Sequence, residues 1–206
     1  MNHLVHKADM AANIGRPLEF DPDTTLEGAM NLFWTQGYKH TSMQDLLSAM
    51  NISKSSLYQA FGGKQQLFRQ CVERYADQFA GRLREGLASA PTGRGFIEAF
   101  LNSVLEDVNG TSEPRGCLVM NTASEFAQSE PEIAQDVAQS IERFRAVLQA
   151  AVERAQREGD IAPERDARTL ANYLVSSMSG LKTQAKAGAD AATLKGIIAV
   201  VLKALD

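Results

Sequence analysis

The chain has 206 residues, 44% of them hydrophobic, enough to bury a core in one large domain or two small ones. It has no apolar run near the ~18 residues of a membrane span and nothing like a signal peptide, and its two cysteines, Cys71 and Cys117, lack disulfide-scaffold or metal spacing; a soluble, intracellular protein is expected. The net charge of −4 argues against indiscriminate nucleic-acid binding, yet residues 1–85 hold nine basic and nine acidic side chains, so the acidic excess lies wholly in the C-terminal part.

Residues 1–19 read as a polar arm without periodicity. His3 and His6 are too few for a metal site. Within the arm, Arg16 between Gly15 and Pro17 fits either a minor-groove contact or a plain lead-in to the first helix. The spacing of Leu26, Ala29, Met30, Phe33 and Trp34 predicts a helix over 22–36, ended by Gly37.

Thr41 with Gln44 three residues on has capping-box spacing, and Leu46, Leu47 and Met50 supply one apolar face to the helix it starts. Asn51-Ile52-Ser53 breaks that helix, because Asn tolerates the left-handed conformation and Ser53 can cap the next one. The next helix, 54–61, buries Leu57 and Phe61 and turns Lys54, Ser55, Ser56, Tyr58 and Gln59 outward. A face of small, basic, amide and aromatic side chains suits a helix laid in a DNA major groove, which makes this a helix-turn-helix. A neutral reading module on an acidic body needs good groove contacts, best supplied by two copies.

After Gly62-Gly63 a long helix is predicted over 64–86, joining the two halves, with Cys71 in its apolar stripe. Residues 88–95 read as a loop. Helical patterns then cover 96–108, a short segment over 117–128, 131–158, 164–187, and a last helix after Gly188 carrying Leu194 to Leu205. No stretch has strand period, so the fold class is all-α: an N-terminal three-helix DNA-binding domain (20–80) joined by a long helix to a C-terminal ligand-binding and dimerisation domain (81–206).

Residues 29–38 (AMNLFWTQGY), 41–46 (TSMQDL) and 56–64 (SLYQAFGGK) with Leu67-Phe68 together resemble the N-terminal signature of the TetR family of transcriptional repressors, over about fifty residues. The lead-in from Gly15 to Asp21, and Arg115-Gly116-Cys117-Leu118-Val119 and Ala187 to Asp190 in the body, are similar to one branch of it. Asn51 replaces the glycine common in the turn, and Gln59-Ala60 replaces an aromatic and a histidine, which leaves Gln59 free to meet a base. The resemblance implies a cytoplasmic homodimer on a pseudo-palindromic double-stranded operator, released by a small-molecule inducer in the C-terminal body, with no cofactor, metal or membrane partner.

On that reading Lys54 reaches a guanine edge or phosphate, Ser55 and Ser56 allow close approach, and Tyr58 meets a phosphate or thymine methyl. Gln59 reads adenine, while Thr41, Ser42 and Lys64 meet phosphate. Leu170, Leu174, Met178 and Leu181 on one helix and Leu194, Ile198, Val201 and Leu205 on the last form either a four-helix seam with a partner or the monomer core. Phe96, Phe100, Val104, Phe126, Phe144, Tyr173 and Met178 are candidates to line an apolar effector cavity. Cys117, following Arg115-Gly116 at a helix start, is either a reactive thiol sensor or a small buried hydrophobe, with Asn121 and Glu125 placed to orient a ligand or bond the sulfur.

An enzyme is excluded by inventory: His40 is the sole histidine beyond the arm, and no nucleophile elbow, phosphate loop or zinc-binding HExxH occurs. The alternatives left open are a helix-turn-helix used as a protein scaffold and an activator of the same fold.

Overall fold

The computed structural model describes residues 21–110, 113–126 and 129–206, without the side chains of 22 and 23; Arg16 and the two arm histidines lie outside these residues. Among them the chain forms α1 (Pro22–Gln36), α2 (Met43–Met50), α3 (Lys54–Phe61), α4 (Lys64–Ser89), α5 (Gly93–Asn102), α6 (Val104–Asn109), α7 (Leu118–Phe126), α8 (Pro131–Glu158), α9 (Ala167–Lys186) and α10 (Ala191–Lys203).

The first three helices close around Ala29, Met30, Phe33, Leu46, Met50, Leu57 and Phe61, all buried. The predicted capping box is shifted by one residue. Ser42, not Thr41, caps α2: its hydroxyl accepts from the Asp45 amide and the Asp45 carboxylate accepts from the Ser42 amide. Thr41 is buried and donates its hydroxyl to the Gly37 carbonyl at 2.7 Å. Asn51 ends α2 in the left-handed region (φ 51°), the one non-glycine residue there among those described. Ser53 caps α3 through the Ser56 amide, as its position predicts.

The long helix α4 spans 26 residues, about 39 Å at the α-helical rise. It packs on α1 and α3 of the N-terminal module and on α5, α7 and α8 of the body. It runs three residues beyond its predicted end, and Arg154 of α8 donates there to the carbonyls of Leu87, Ala90 and Pro91. The same arginine pairs with Glu158, which accepts from the Gly93 amide at 2.7 Å, so one i,i+4 pair on α8 serves the end of α4 and the start of α5. Arg69 bonded to Glu132 and Asp136, and Arg143 bonded to Asp77, tie α4 to α8 along the outer side.

The helix predicted over 96–108 is two. Ser103 interrupts it, donating its hydroxyl to the Phe100 carbonyl at 2.7 Å. Helix α8 is the central post of the body, packed against α4, α5, α7 and α9. Gly93 is where α5 crosses it closest: a Cβ there would lie 2.6 Å from Ala151 O and from Ala155 N.

Candidate functional site

Helix α3 presents Lys54, Ser55, Tyr58 and Gln59 to solvent, while Leu57 and Phe61 hold its back to the core. Tyr58 is 50% exposed, high for a tyrosine, and its ring lies along Gly63, where a Cβ would come within 3.3 Å of Cε1. Ser56 is half-buried, its hydroxyl bonded to Ser53 at the cap. Nothing on α3 is acidic, so its exposed face meets a polyanion without repulsion.

Two adjoining cavities lie around Phe79 and Lys182 in the body. The inner one, about 20 Å³, lies between Phe79, Phe100, Cys117, Met120, Phe144, Leu148, Val175, Met178 and Ser179, with the Lys182 ammonium at its edge. It has room for one water-sized group. An outer cleft of about 500 Å³ shares Phe79 and Lys182 with it and carries Trp34, Tyr75, Arg82, Asp107 and Arg115. Lys182 is bonded to Asp107 at 2.6 Å, so the polar edge is charge-balanced. The Tyr75 phenol lies beside the Cys117 side chain. Burial first, then the adjoining sulfur, push the Tyr75 phenol well above its ordinary value.

Family models match both halves of the chain. Residues 26–71 match the model for bacterial regulatory proteins of the tetR family, and residues 93–201 match that for tetracyclin repressor-like C-terminal domains. The chain belongs to the TetR family. It is a transcriptional regulator and not an enzyme. It is 29% identical to the HTH-type transcriptional repressor ComR of Escherichia coli K12 over 92% of this chain and 90% of ComR. It is 32% identical to the HTH-type regulator YezE of Bacillus subtilis over 94% of this chain and all of YezE. A triple-cysteine mutant of the TetR-family regulator CifR, solved with 26-bp double-strand operator DNA, is also 32% identical; the match covers 93% of this chain and 100% of that one, with a TM-score of 0.79. Among the described residues no helix is long and apolar enough to cross a membrane.

In this TetR-family chain several expected residues fall elsewhere. Thr41 cannot offer its hydroxyl to phosphate, being buried and committed to Gly37; Ser42 is exposed, but its amide is taken by Asp45. Lys64 is half-buried, with its ammonium 4.2 Å from the Tyr38 ring centroid, and burial lowers it from the ordinary lysine value against the opposing pull of Glu125.

Of the expected cavity lining, Phe100, Cys117, Phe144 and Met178 do come together. Phe96 stacks behind Phe100 at 6.3 Å, Val104 is core, and Tyr173 is half-buried outside the cavity wall. Asn121 does not meet the sulfur; its amide donates to the Arg115 carbonyl at 3.0 Å. Glu125 and Phe126 belong to the joint with the DNA-reading module. Glu125 accepts from the backbone amides of Tyr38 and Lys39, and Phe126 packs on Tyr38 and Phe68 at 5.3 and 5.6 Å. Cys71 is packing, as expected, and burial pushes its thiol well up.

The seam assignment is corrected outright. Leu170, Leu174, Met178, Leu181, Leu194, Ile198, Val201 and Leu205 are all buried within one chain, so none has surface left for a partner. The opposite faces of the same helices stay open: Val200 is 68% and Ile197 37% exposed, and Gly180 and Gly196 have open space where a Cβ would stand. Ile197 belongs to the apolar stripe read from the sequence and Val200 does not; the small residues Gly196 and Ala199 beside them are the available signal for an open face.

Proposed function

We propose that this chain is a ligand-responsive repressor. Residues 20–80 read DNA, residues 81–206 sense an effector and pair with a second copy, and the pair sits in the cytoplasm on a pseudo-palindromic operator. The observation that carries the reading is the α3 face, where Lys54, Ser55, Tyr58 and Gln59 stand out from a helix fixed at both ends by Ser53 and left-handed Gly62. The operator DNA held by the similar CifR supports it. Two such helices must stand about 34–36 Å apart, or a multiple of that, to enter successive major grooves together. The open face of α9 and α10 supplies the pairing surface: apolar Ile197 and Val200 beside glycines that let helices approach closely. An effector held between α4, α7, α8 and α9 then changes the tilt of α4 and with it the spacing of the probes.

The test is a mobility-shift titration against duplexes selected from a random pool, repeated over a range of salt. Sequence-selective binding with a steep salt slope is expected; flat, weak binding to every duplex would leave α3 as a protein-interaction scaffold.

The position of Cys117 supports a second reading of the sensor. The thiol stands on the wall of the inner cavity beside Tyr75, with Lys182 on the same wall, where a small electrophile or oxidant could act on it. Complete alkylation of Cys117 with no change in duplex affinity would remove this version.

A further inference from the structure

The residues from Arg115 to Phe126 serve two sites at once. At one end, Cys117 forms a wall of the inner cavity. The residues just before it hold α1: the Gly116 carbonyl accepts from the Trp34 indole at 3.2 Å, and the Arg115 guanidinium lies 3.9 Å over the Trp34 ring and donates to the Asn31 side chain at 3.1 Å. Gly116 holds this position in the left-handed region (φ 74°), with Asn121 bonded to the carbonyl before it.

At the other end of α7, Glu125 accepts from the Lys39 amide at 3.1 Å and the Tyr38 amide at 3.3 Å. These two amides belong to the turn that enters α2, the first helix of the helix-turn-helix. A second line of contacts runs parallel. Phe144 and Phe79 of the cavity wall meet edge to face at 4.9 Å, Phe79 stacks on Tyr75 at 6.0 Å, and Tyr75 meets Trp34 edge to face at 4.9 Å. Tyr75 in turn lies beside Cys117 and the start of α7.

Beside α7 lies an open cleft of about 400 Å³ between the end of α1 and the body, bordered by Gln36, Gly37, Glu125 and Lys186. The two halves therefore meet through these directed bonds and the packed rings of Tyr38, Phe68 and Phe126, with an open cleft beside them.

From this we infer that Gly116 and Glu125 form a two-point clasp on the DNA-reading module, and that a change at the Cys117 wall of the cavity opens it through α7. Glu125 is a positioning residue: it touches no DNA but sets the attitude of the turn from which α2 and α3 hang. The inference rests on the repressor reading for its consequence at DNA, but not for the clasp itself. A rigid lever suits the distances, because α7 is short and its two ends are bonded to different parts of the same module, so a rotation at Cys117 strains both bonds together.

The experiment uses the full chain, iodoacetamide as the probe, and amide hydrogen exchange as the readout. Alkylation adds a CH2–CONH2 group to Cys117 that the water-sized space beside it cannot hold, while Cys71, fully buried, is protected. In untreated protein, Glu125→Ala is expected to speed exchange at the Tyr38 and Lys39 amides about tenfold, the scale of losing a hydrogen bond to a charged acceptor, with the Leu46 and Leu57 amides unchanged. Glu125→Gln keeps one acceptor oxygen and falls between, and it carries the same comparison if the alanine variant folds poorly. Alkylated wild type is expected to show the same acceleration at the same two amides, and alkylated Glu125→Ala no further change.

If alkylation leaves Tyr38 and Lys39 exchange untouched, or if Glu125→Ala leaves it untouched, the clasp is wrong. Should alkylation abolish binding to a duplex selected by the wild type while those amides stay protected, the coupling runs by another route and the repressor reading survives. If the wild type selects no duplex, that reading fails, and the exchange data still decide the clasp.

Discussion

The indole nitrogen of Trp34 donates to the carbonyl oxygen of Gly116 at 3.2 Å, a bond between residues 82 apart in sequence that ties α1 to the segment leading into α7. Phenylalanine at 34 keeps the ring under Arg115 and against Tyr75 but removes the donor. Trp34→Phe is expected to cost about 1 kcal/mol, read as a lower urea midpoint at unchanged slope. An unchanged midpoint would mean that the Gly116 carbonyl is as well served by water.

Lys54 begins α3 on its exposed side and has no part in the core. Lys54→Ala should leave thermal stability within about 0.5 kcal/mol. It should weaken binding to the selected duplex and lower the salt slope by about one charge if the contact is to phosphate. Relaxed selection at one base position with the slope kept would instead identify a guanine contact.

Gly93 and Gly81 separate two roles for glycine inside a helix. At Gly93 an added Cβ collides with backbone atoms of Ala151 and Ala155, which cannot rotate away. Gly93→Ala should destabilise by about 1–3 kcal/mol. At Gly81 a Cβ meets nothing within 4 Å, and Gly81→Ala should stabilise α4 by up to about 1 kcal/mol. Equal effects at the two sites, measured by urea titration, would contradict the crossing of α5 on α8.

Ile197 and Val200 are the large apolar side chains that α10 leaves exposed on a single chain. The double change Ile197→Glu with Val200→Glu should convert a dimer to a folded monomer in sedimentation velocity and abolish tight duplex binding. A dimer that persists would move the pairing surface off α10.

Three aspartates begin helices: Asp45 closes the box on α2, Asp166 caps α9 and Asp190 caps α10. Hydrogen bonds hold all three below the ordinary aspartate value of 3.8, from Ser42, Thr169 and Thr193 respectively. The unfolded chain therefore takes up protons before the folded one as pH falls. The contribution of these caps is full above the ordinary aspartate value and drains away below it, through the lower folded values. Asp190→Asn keeps a capping oxygen and should flatten this acid loss, seen as a smaller fall in melting temperature between pH 5 and pH 3; an identical acid profile would show that the α10 cap is not titrating.

The helix-turn-helix was legible because its signals are local. Asn51, Ser53 and the Leu57–Phe61 pair each act within a turn or two of chain, and α3 has the predicted bounds. Thr41 and Ser42 show where local signals tie: both have a capping partner three residues on, Gln44 and Asp45. The tie is broken by Thr41 turning inward onto the Gly37 carbonyl, a choice that depends on how α1 ends against α2. Ser103 shows a different limit, since apolar periodicity runs straight across the break and a serine bonding its own helix carbonyl leaves no distinct mark.

From residue order alone came the all-α class, the probe on α3, the long connecting helix and which side of each helix is apolar, because all of these follow from periods and caps within single helices. The tertiary structure alone decided what those apolar sides face. It sent Leu174 and Leu194 into the chain's own core, left Ile197 and Val200 open, and placed Glu125 on the Tyr38 turn instead of on Cys117. Burial and hydrogen-bond partnership are relations between two surfaces, and the second surface in each case lies tens of residues away along the chain.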